Sequence, residues 1–509
     1  RSIIAQTEHL IVSNQPTFST SLYGITLTKL ELQTFSLHKK VMVLTVLTDD
    51  QIKAILADLT ADEFEGFRKT ISTALHEYST NTHNIEDGTY HQPERISTEN
   101  LKTGATTLYM PSVGPQGMGC KVVTLSSGKA TQDPSKPSIQ PTGAVTLLSP
   151  EGQPVGFLHA KTLTAFRTAL TSTCLLARRG QVKTVTVFGV GLQAYWHVRL
   201  ALLIRGSTIK HVNVINRRFS DHARVFLRQF YEVPQHIKER EGWAEATFSI
   251  LTPGYGEFKR LQREQIRDAD VVYCCTPSTE DLFEAEVLTN HEGRRKGRLV
   301  AAIGSYTPKM RELPEGLLLQ ATKHEKPHWH FHKHAPEGGV IVVDTLDGAL
   351  KEAGEVIAAG LQPTQLVELG ELIMLRRMHE EEEAAEAEAV GETASIAPSE
   401  LDKLDFSGTP SIKSAFTGSD EASASDSRSS ISKDSTTGSH SSRGPSMLRR
   451  SSSQRSSDKH KKEDALVKWL RDGTVIYKSV GLGLMDLAVG MHMVQLAREK
   501  GIGTQVEEF

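Results

Sequence analysis

No stretch of this chain stays apolar for the roughly twenty residues that a bilayer-crossing helix needs, so no membrane anchor is expected. Neither sign of charge dominates: 58 lysines and arginines face 61 aspartates and glutamates, a formal net charge of −3. That balance lacks the basic footprint of a nucleic-acid-binding protein. Cysteine is scarce, with four in 509 residues. Cys120, Cys174, Cys274 and Cys275 form no CxxC pair and no metal-ligand spacing, which points to reduced, mostly buried thiols in a cytoplasmic protein. What remains is an ordinary globular composition, 38% hydrophobic and 23% charged, with length for two or more domains.

Residues 1–41 are rich in Ser, Thr and Leu and poor in acids, without the Arg-rich amphipathic pattern of a transit peptide. They are expected to form a poorly ordered extension, with the first domain starting at Met42. "LTDDQIKAILADLTADEFEGFRKTISTALHEY" carries capping Asp and Thr ahead of apolar residues at helical spacing, predicting two helices. "TTLYMPSV" and "GCKVVTL" read as strands, and "GAVTLLSPEGQPVGFLHA" as a hairpin turning at Pro-Glu-Gly. "AKTLTAFRTALTSTCLLARRG" reads as a helix stopped at Gly180. From Val182 onward strands and helices alternate: "KTVTVFGV", "LQAYWHVRLALLIRG", "KHVNVINRR", then the short apolar runs "DADVVYCCTP", "RLVAAIGSYTP" and "GGVIVVDT". That alternation predicts an α/β fold with a parallel, doubly wound sheet.

Two inserts interrupt the pattern. "HWHFHKH" places His328, His330, His332 and His334 at alternate positions, with His324 nearby. On a strand these would share one face, but no cysteine or obvious carboxylate is placed to complete a site, so a polar loop is expected and no metal site is assigned. Residues 379–463 begin with "HEEEEAAEAEA" and turn Ser-rich and basic, a composition unable to bury a core. Within them "LRRSSSQRSS" sets serines beside arginines, as phosphorylation sites often do.

The stretch "TVTVFGVGLQAYW" carries the first chemistry. A β-branched strand runs into Gly189-Val190-Gly191, a helix follows, and Ala194 holds the third small position of G-x-G-x-x-G/A. Gly189 permits the tight turn, Gly191 permits close approach of a pyrophosphate, and the free N–H groups of the helix start would face it. At the end of the next strand, sites for NAD usually carry an acid that accepts from the ribose 2′-hydroxyl. This chain has Asn216-Arg217-Arg218 there. Two cations without a carboxylate suit a 2′-phosphate, which predicts NADP(H) over NAD(H).

"LTAFRTALTSTCLLA", "VFGVGLQA" and "VINRR" together resemble the ornithine cyclodeaminase / mu-crystallin family. The likeness continues upstream in "HQPERIS" and "MGCKVVTL", and downstream in "IGSYTPKMREL", "ALKEAGEV", "VELGELI" and "VIYKSVGLGLMDLAVG", all in order from about Met42 to Gly501 apart from the inserts. The resemblance implies a Rossmann NAD(P)-binding domain inserted between two halves of an α+β domain that binds substrate and forms a homodimer. The corresponding segments are 42–181 for the first half, 182–345 for the Rossmann domain, 346–378 for the return, 379–463 for the insert and 464–509 for the C-terminal part. It implies that Arg95 holds a substrate carboxylate, that Lys121 sits beside the substrate nitrogen or carboxylate, and that Arg167 completes the anion site. It also implies that Thr168, Gly189, Gly191, Leu192, Gln193, Asn216, Arg217, Arg218, Thr276 and Ser479 line the cofactor.

One position departs from the cyclodeaminase pattern. Where those enzymes carry an aspartate that moves protons at the substrate amino groups, this chain has Tyr306, preceded by Ser305. A tyrosine near its ordinary pKa of ~10 is a poor base at neutral pH, yet it can donate a proton or orient a water. The expected activity is therefore reduction of a small, cyclic imino acid by NADPH. Ornithine cyclisation with bound NAD and a non-catalytic, NADPH-dependent binder of small molecules are the alternatives.

Overall fold

The computed structural model describes residues 43–81, 90–127, 135–137, 139–304, 307–323, 338–373, 467–507 and 509. Several sequence expectations lie outside them: the 1–41 extension, the histidine-rich stretch, the 379–463 insert with its serines, and both Ser305 and Tyr306.

Two sheets organise the described chain. The first begins at β1 (Val43–Leu47), followed by a helix whose start is closed by a capping box. Thr48 Oγ1 accepts from the Gln51 amide at 3.3 Å, and Gln51 Oε1 accepts from the Thr48 amide at 3.0 Å. Thr60 and Glu63 repeat the device at the helix Ala61–Asn81. Then come β2 (Ile96–Asn100), β3 (Ala105–Gly114), β4 (Gly117–Ser126), β5 (Thr142–Leu148) and β6 (Pro154–His159). β3 to β6 form an antiparallel meander, β1 joins β6 in parallel, and the last strand of the chain pairs with β1. The exposed edge strand β2 has no amphipathic alternation, which is why its sequence gave no strand signal.

The second sheet is parallel throughout. Its strands are β7 (Thr184–Phe188), β8 (His211–Ile215), β9 (Thr247–Leu251), β10 (Val271–Cys274), β11 (Leu299–Ala302), β12 (Val340–Val343), β13 (Val367–Glu368) and β14 (Val475–Lys478). They lie in the order β13-β12-β14-β11-β10-β7-β8-β9. β10, β11, β12 and β14 are buried at every residue, as parallel strands covered on both faces must be. Chain order reverses beside β7, which is the switch point where such sheets bind ligands at their carboxyl edge. β15 (Thr504–Glu507) closes the first sheet.

The sheet order corrects the expected division of the chain. The 346–378 stretch contributes β13 to the parallel sheet, so it does not join the first sheet as a whole. The 464–509 stretch is split: β14 lies between β11 and β12, whereas the helix Gly483–Glu499 and β15 belong with the first sheet. A four-residue apolar run carries no mark of which sheet it enters. The helix Ala160–Leu176 also stops before Gly180. Gly180 instead lets the returning chain pass close, since an added Cβ would lie 3.1 Å from Asp472 Oδ1.

Neighbouring arginines grip the chain on both sides of the insert. Arg178 Nη2 donates to the Leu372 carbonyl at 2.7 Å. Arg179 Nη1 donates to the carbonyls of Leu470 and Gly473 at 3.0 and 2.8 Å. The helix Ala160–Leu176 is then joined to the helix Leu192–Arg205 by His197. Its Nε2 lies 2.9 Å from Ser172 Oγ, and its Nδ1 lies 2.8 Å from the Gln193 carbonyl. Burial pushes this imidazole down to about 4, so it stays neutral in the fold.

Two outcomes are expected. Replacing residues 380–462 with a short Gly/Ser linker should leave the thermal midpoint close to that of the full chain, because the anchors at Arg178 and Arg179 remain; Arg179→Ala should lower it by several degrees. On acidification from pH 6.5 toward 4, the unfolded chain takes up a proton that folded His197 refuses, so stability falls, by up to about 3 kcal/mol from this residue. Urea midpoints at pH 7 and 4.5 should show a smaller acid loss in His197→Gln than in the wild type.

Candidate functional site

The carboxyl edge of the nucleotide sheet collects the turn after β7, the end of β8 and the loops after β10, β11 and β14. Gly189 takes φ of +97°, and a Cβ there would come within 2.7 Å of the Cys275 carbonyl oxygen. Only glycine fits that position. At Gly191 a Cβ would meet nothing within 4 Å, so the space over the helix start is open. The helix Leu192–Arg205 begins there with no side-chain cap, leaving its first-turn N–H groups to an anion. Gln193 Oε1 is buried without a protein partner. An uncapped helix start and an open approach fit a dinucleotide pyrophosphate.

Asn216 follows β8, its Nδ2 donating to the Arg218 carbonyl at 2.8 Å. Arg217 and Arg218 are exposed and make no ion pair among the described residues. Thr276 follows β10 and packs its Cγ2 beside the Gly189 turn. Its N–H and hydroxyl both donate to Glu312 Oε1, at 2.6 and 2.8 Å, while Gly304 N–H donates to Glu312 Oε2 at 2.7 Å. Glu312 is fully buried and thus ties the β10 and β11 loops together. Ser479 follows β14, and its hydroxyl donates to Asp344 Oδ2 at 2.9 Å. The same oxygen accepts from the amides of Val480 and Gly481, both at 2.8 Å, and Asp344 Oδ1 accepts from the Tyr477 hydroxyl. Asp344 therefore shapes the loop leading to the last helix. Thr168 is buried and donates to the Thr164 carbonyl at 2.8 Å.

The three expected substrate cations converge on that loop. Arg95 Nη2 donates to the Gly481 carbonyl at 3.4 Å and is paired with Glu352 Oε2. Beside this pair, Lys351 Nζ meets Glu94 Oε1 at 2.5 Å. Gly481 has φ of +86°, and a Cβ there would lie 3.0 Å from Arg167 Nη1. Lys121 on β4 reaches Asp486 Oδ2 at 2.6 Å, and Arg167 Nε reaches Asp486 Oδ1 at 3.2 Å. Among the described residues Arg167 Nη1 meets only the Met485 sulfur, at 3.0 Å, a weak acceptor that leaves donor capacity for a carboxylate. Gln92 holds the Arg95 segment to the last helix, its Oε1 accepting from the Leu484 amide at 2.8 Å.

Burial dominates the electrostatics. It pulls Lys121 down to about 8; Arg167 and Arg95 push the same way, and Asp486 opposes them. Burial lowers the Arg95 guanidinium against the pull of Glu352, and raises the Glu352 carboxyl against that of Arg95. Asp344, Glu352, Glu312 and Asp486 carried no sequence signal as partners, although each lies in or beside a recognisable motif. Ser305 and Tyr306 follow Gly304 directly but lie outside the described residues. No group of three or more potential metal ligands is found among the described residues.

No protein-family model matches the chain. A Delta(1)-pyrroline-2-carboxylate reductase of Bacillus cereus is 28% identical over 285 residues, spanning 53% of this chain and 70% of that protein. The ketimine reductase mu-crystallin of Mus musculus is 27% identical over 293 residues, spanning 56% and 76%. The solved structure of Thermococcus litoralis Delta(1)-pyrroline-2-carboxylate reductase with NADH and L-proline shares the fold at a TM-score of 0.54 and 17% identity, covering 91% of this chain and all of that one. In sequence the chain is thus similar to reductases of the ornithine cyclodeaminase / mu-crystallin kind, and it shares the fold of that solved structure.

Proposed function

We propose that the protein is an NADPH-dependent reductase of small cyclic imino acids, with piperideine-2-carboxylate and pyrroline-2-carboxylate as candidate substrates. The observation that carries this reading is the convergence of Arg95, Lys121 and Arg167 beside the carboxyl edge of a nucleotide-binding sheet. Three cations against the two carboxylates Glu352 and Asp486 leave one net positive charge, which a single anion completes, and a guanidinium fork grips a carboxylate in a fixed plane. The relatives named as pyrroline-2-carboxylate and ketimine reductases suggest a C=N bond next to that carboxylate. Tyr306, standing where cyclodeaminases have an aspartate, speaks against ornithine cyclisation.

In this reading Arg167 offers its Nη edge and Arg95 the donors not engaged by Glu352, so the carboxylate is held between them. Lys121 keeps a positive charge beside it. Gly189, Gly191, Leu192 and Gln193 receive the pyrophosphate, Thr168 approaches it from the neighbouring helix, and Thr276, Asn216 and Ser479 line the rest of the dinucleotide. NADPH, when bound, would supply the hydride for the imine carbon. The imine nitrogen takes its proton from a hydroxyl or a water, Tyr306 being the candidate hydroxyl. Arg217 and Arg218 pair with the 2′-phosphate. The seven-stranded sheet would carry a homodimer interface, and its surface exposes Phe157 and Phe509 near Leu44 and Val46.

Loss of reduced-nicotinamide absorbance on mixing the protein with NADPH and piperideine-2-carboxylate tests the reading, with NADH and with ornithine plus NAD in parallel. Turnover with NADPH is expected, and Arg95→Ala should raise KM for the imine by about 10- to 100-fold, the loss of a charge-assisted carboxylate contact. Ammonia from ornithine without imine reduction would overturn it. Arg217→Ala with Arg218→Ala should raise KM for NADPH by about tenfold or more and leave that for NADH nearly unchanged; equal losses with both cofactors would refute the 2′-phosphate assignment.

A further inference from the structure

Among the described residues, Asp486 is the one carboxylate that touches two of the three site cations. It is 1% exposed and lies in the first turn of the helix Gly483–Glu499, where the helix dipole favours a negative charge. One oxygen meets Lys121 Nζ at 2.6 Å, and the other meets Arg167 Nε at 3.2 Å. Lys121 comes from β4, Arg167 from the helix Ala160–Leu176, and Asp486 from the far end of the chain, so no local geometry accounts for the bridge. Its two cationic partners are 4% and 3% exposed, and the Thr164 hydroxyl donates to Oδ1 at 3.5 Å. Two cations so buried and so close would repel each other without an anion between them, and the lysine would shed its proton. With Asp486 in place the trio keeps one net positive charge, which is what a monocarboxylate requires. Asp486 also takes the Nε edge of Arg167 and leaves the Nη edge to the site.

We propose that Asp486 is the positioning residue of the carboxylate clamp, holding Lys121 charged and Arg167 turned so that a monocarboxylate can enter. The proposal rests on the imino-acid reading above and adds to it the residue that sets its pH range. The charged groups facing Lys121 are Asp486 from the last helix, Arg167 from the central helix and Arg95 from the segment before β2. Lys121 keeps its charge below about 8 and loses it above. Removing the attraction of Asp486 moves that loss to lower pH, because an opposite charge at contact distance typically raises an amine by one unit or more.

Two readouts on the full-length protein test this. One is kcat/KM for piperideine-2-carboxylate with NADPH between pH 6 and 10. The other is affinity for pyrrole-2-carboxylate, a planar carboxylate that needs no turnover, by calorimetry over the same range. In the wild type both should fall through about pH 8. In Asp486→Asn the fall should begin about one unit or more lower, with the change in KM rather than kcat and with NADPH affinity retained. Lys121→Met should have no such fall, and Asp486→Glu should keep it near the wild-type midpoint. Should Asp486→Asn not fold, the last two variants still decide. A wild-type midpoint in Asp486→Asn, or an alkaline fall that persists in Lys121→Met, overturns the proposal. Absent turnover with an intact pH-dependent binding curve would sink the reductase reading and leave Asp486 in its role.

Discussion

The helix Ala160–Leu176 has no solvent face, and the site depends on that constraint. Fifteen of its 17 residues are buried, polar ones among them. An all-buried helix usually carries an apolar sequence, but this one holds Arg167, Thr168, Thr171, Ser172 and Thr173 inside the protein. Each needs a partner there, since an unmatched buried donor costs about 1–3 kcal/mol. Thr168 and Thr171 return their hydroxyl protons to the carbonyls of Thr164 and Arg167, at 2.8 and 2.9 Å. Ser172 reaches across to His197. Arg167 has no such local outlet, so it looks to Asp486 on another element. The demand for satisfaction inside one helix thus fixes where the last helix must begin.

The parallel sheet meets the same demand from the other side. Its carboxyl edge is held by two buried acids that bond chiefly to loop amides and hydroxyls. Glu312 joins the loops after β10 and β11, and Asp344 gathers Ser479, Val480 and Gly481. Gly304 shows how tight the first junction is, since a Cβ there would lie 1.8 Å from the Thr276 carbonyl oxygen. The second junction sets the path of Gly481, whose own carbonyl receives Arg95 and whose missing side chain leaves room for Arg167. Backbone shaped by one sheet therefore positions cations that come from the other half of the fold.

How much of this the sequence disclosed follows from how far apart the partners lie. The Gly189 turn was legible because strand, glycines and helix are contiguous. Arg95, Lys121 and Arg167 were legible only through the order of motifs, since each alone resembles a surface charge. Their carboxylates were not: Asp486 stands 365 residues from Lys121 and 319 from Arg167. An aspartate within "GLGLMDLAVG" has no periodicity or spacing that announces a buried partner. β14 was misassigned for a related reason. Val475–Lys478 is apolar enough to be a core strand of either sheet, and the insert separates it from the strands beside which it lies.

The same distances explain why a long insertion can sit where it does. The chain departs beyond Leu372 and returns before Leu470, and adjacent arginines at the end of the central helix hold both points. Closing a longer loop between fixed anchors adds entropy cost only logarithmically. Arg179 donates to backbone carbonyls of the returning segment, so its grip does not depend on which side chains the insert presents. β14 then enters between β11 and β12 and completes the hydrogen bonding of both. Lys478 at its end is fully buried and donates to the carbonyls of Ala302 and Ser479, at 3.3 and 3.0 Å, which links the strand to the loop that leads to Gly481. The re-entry of the chain and the gathering of Arg95, Lys121 and Arg167 are in this way one structural event, carried by the segment from Leu470 to Asp486.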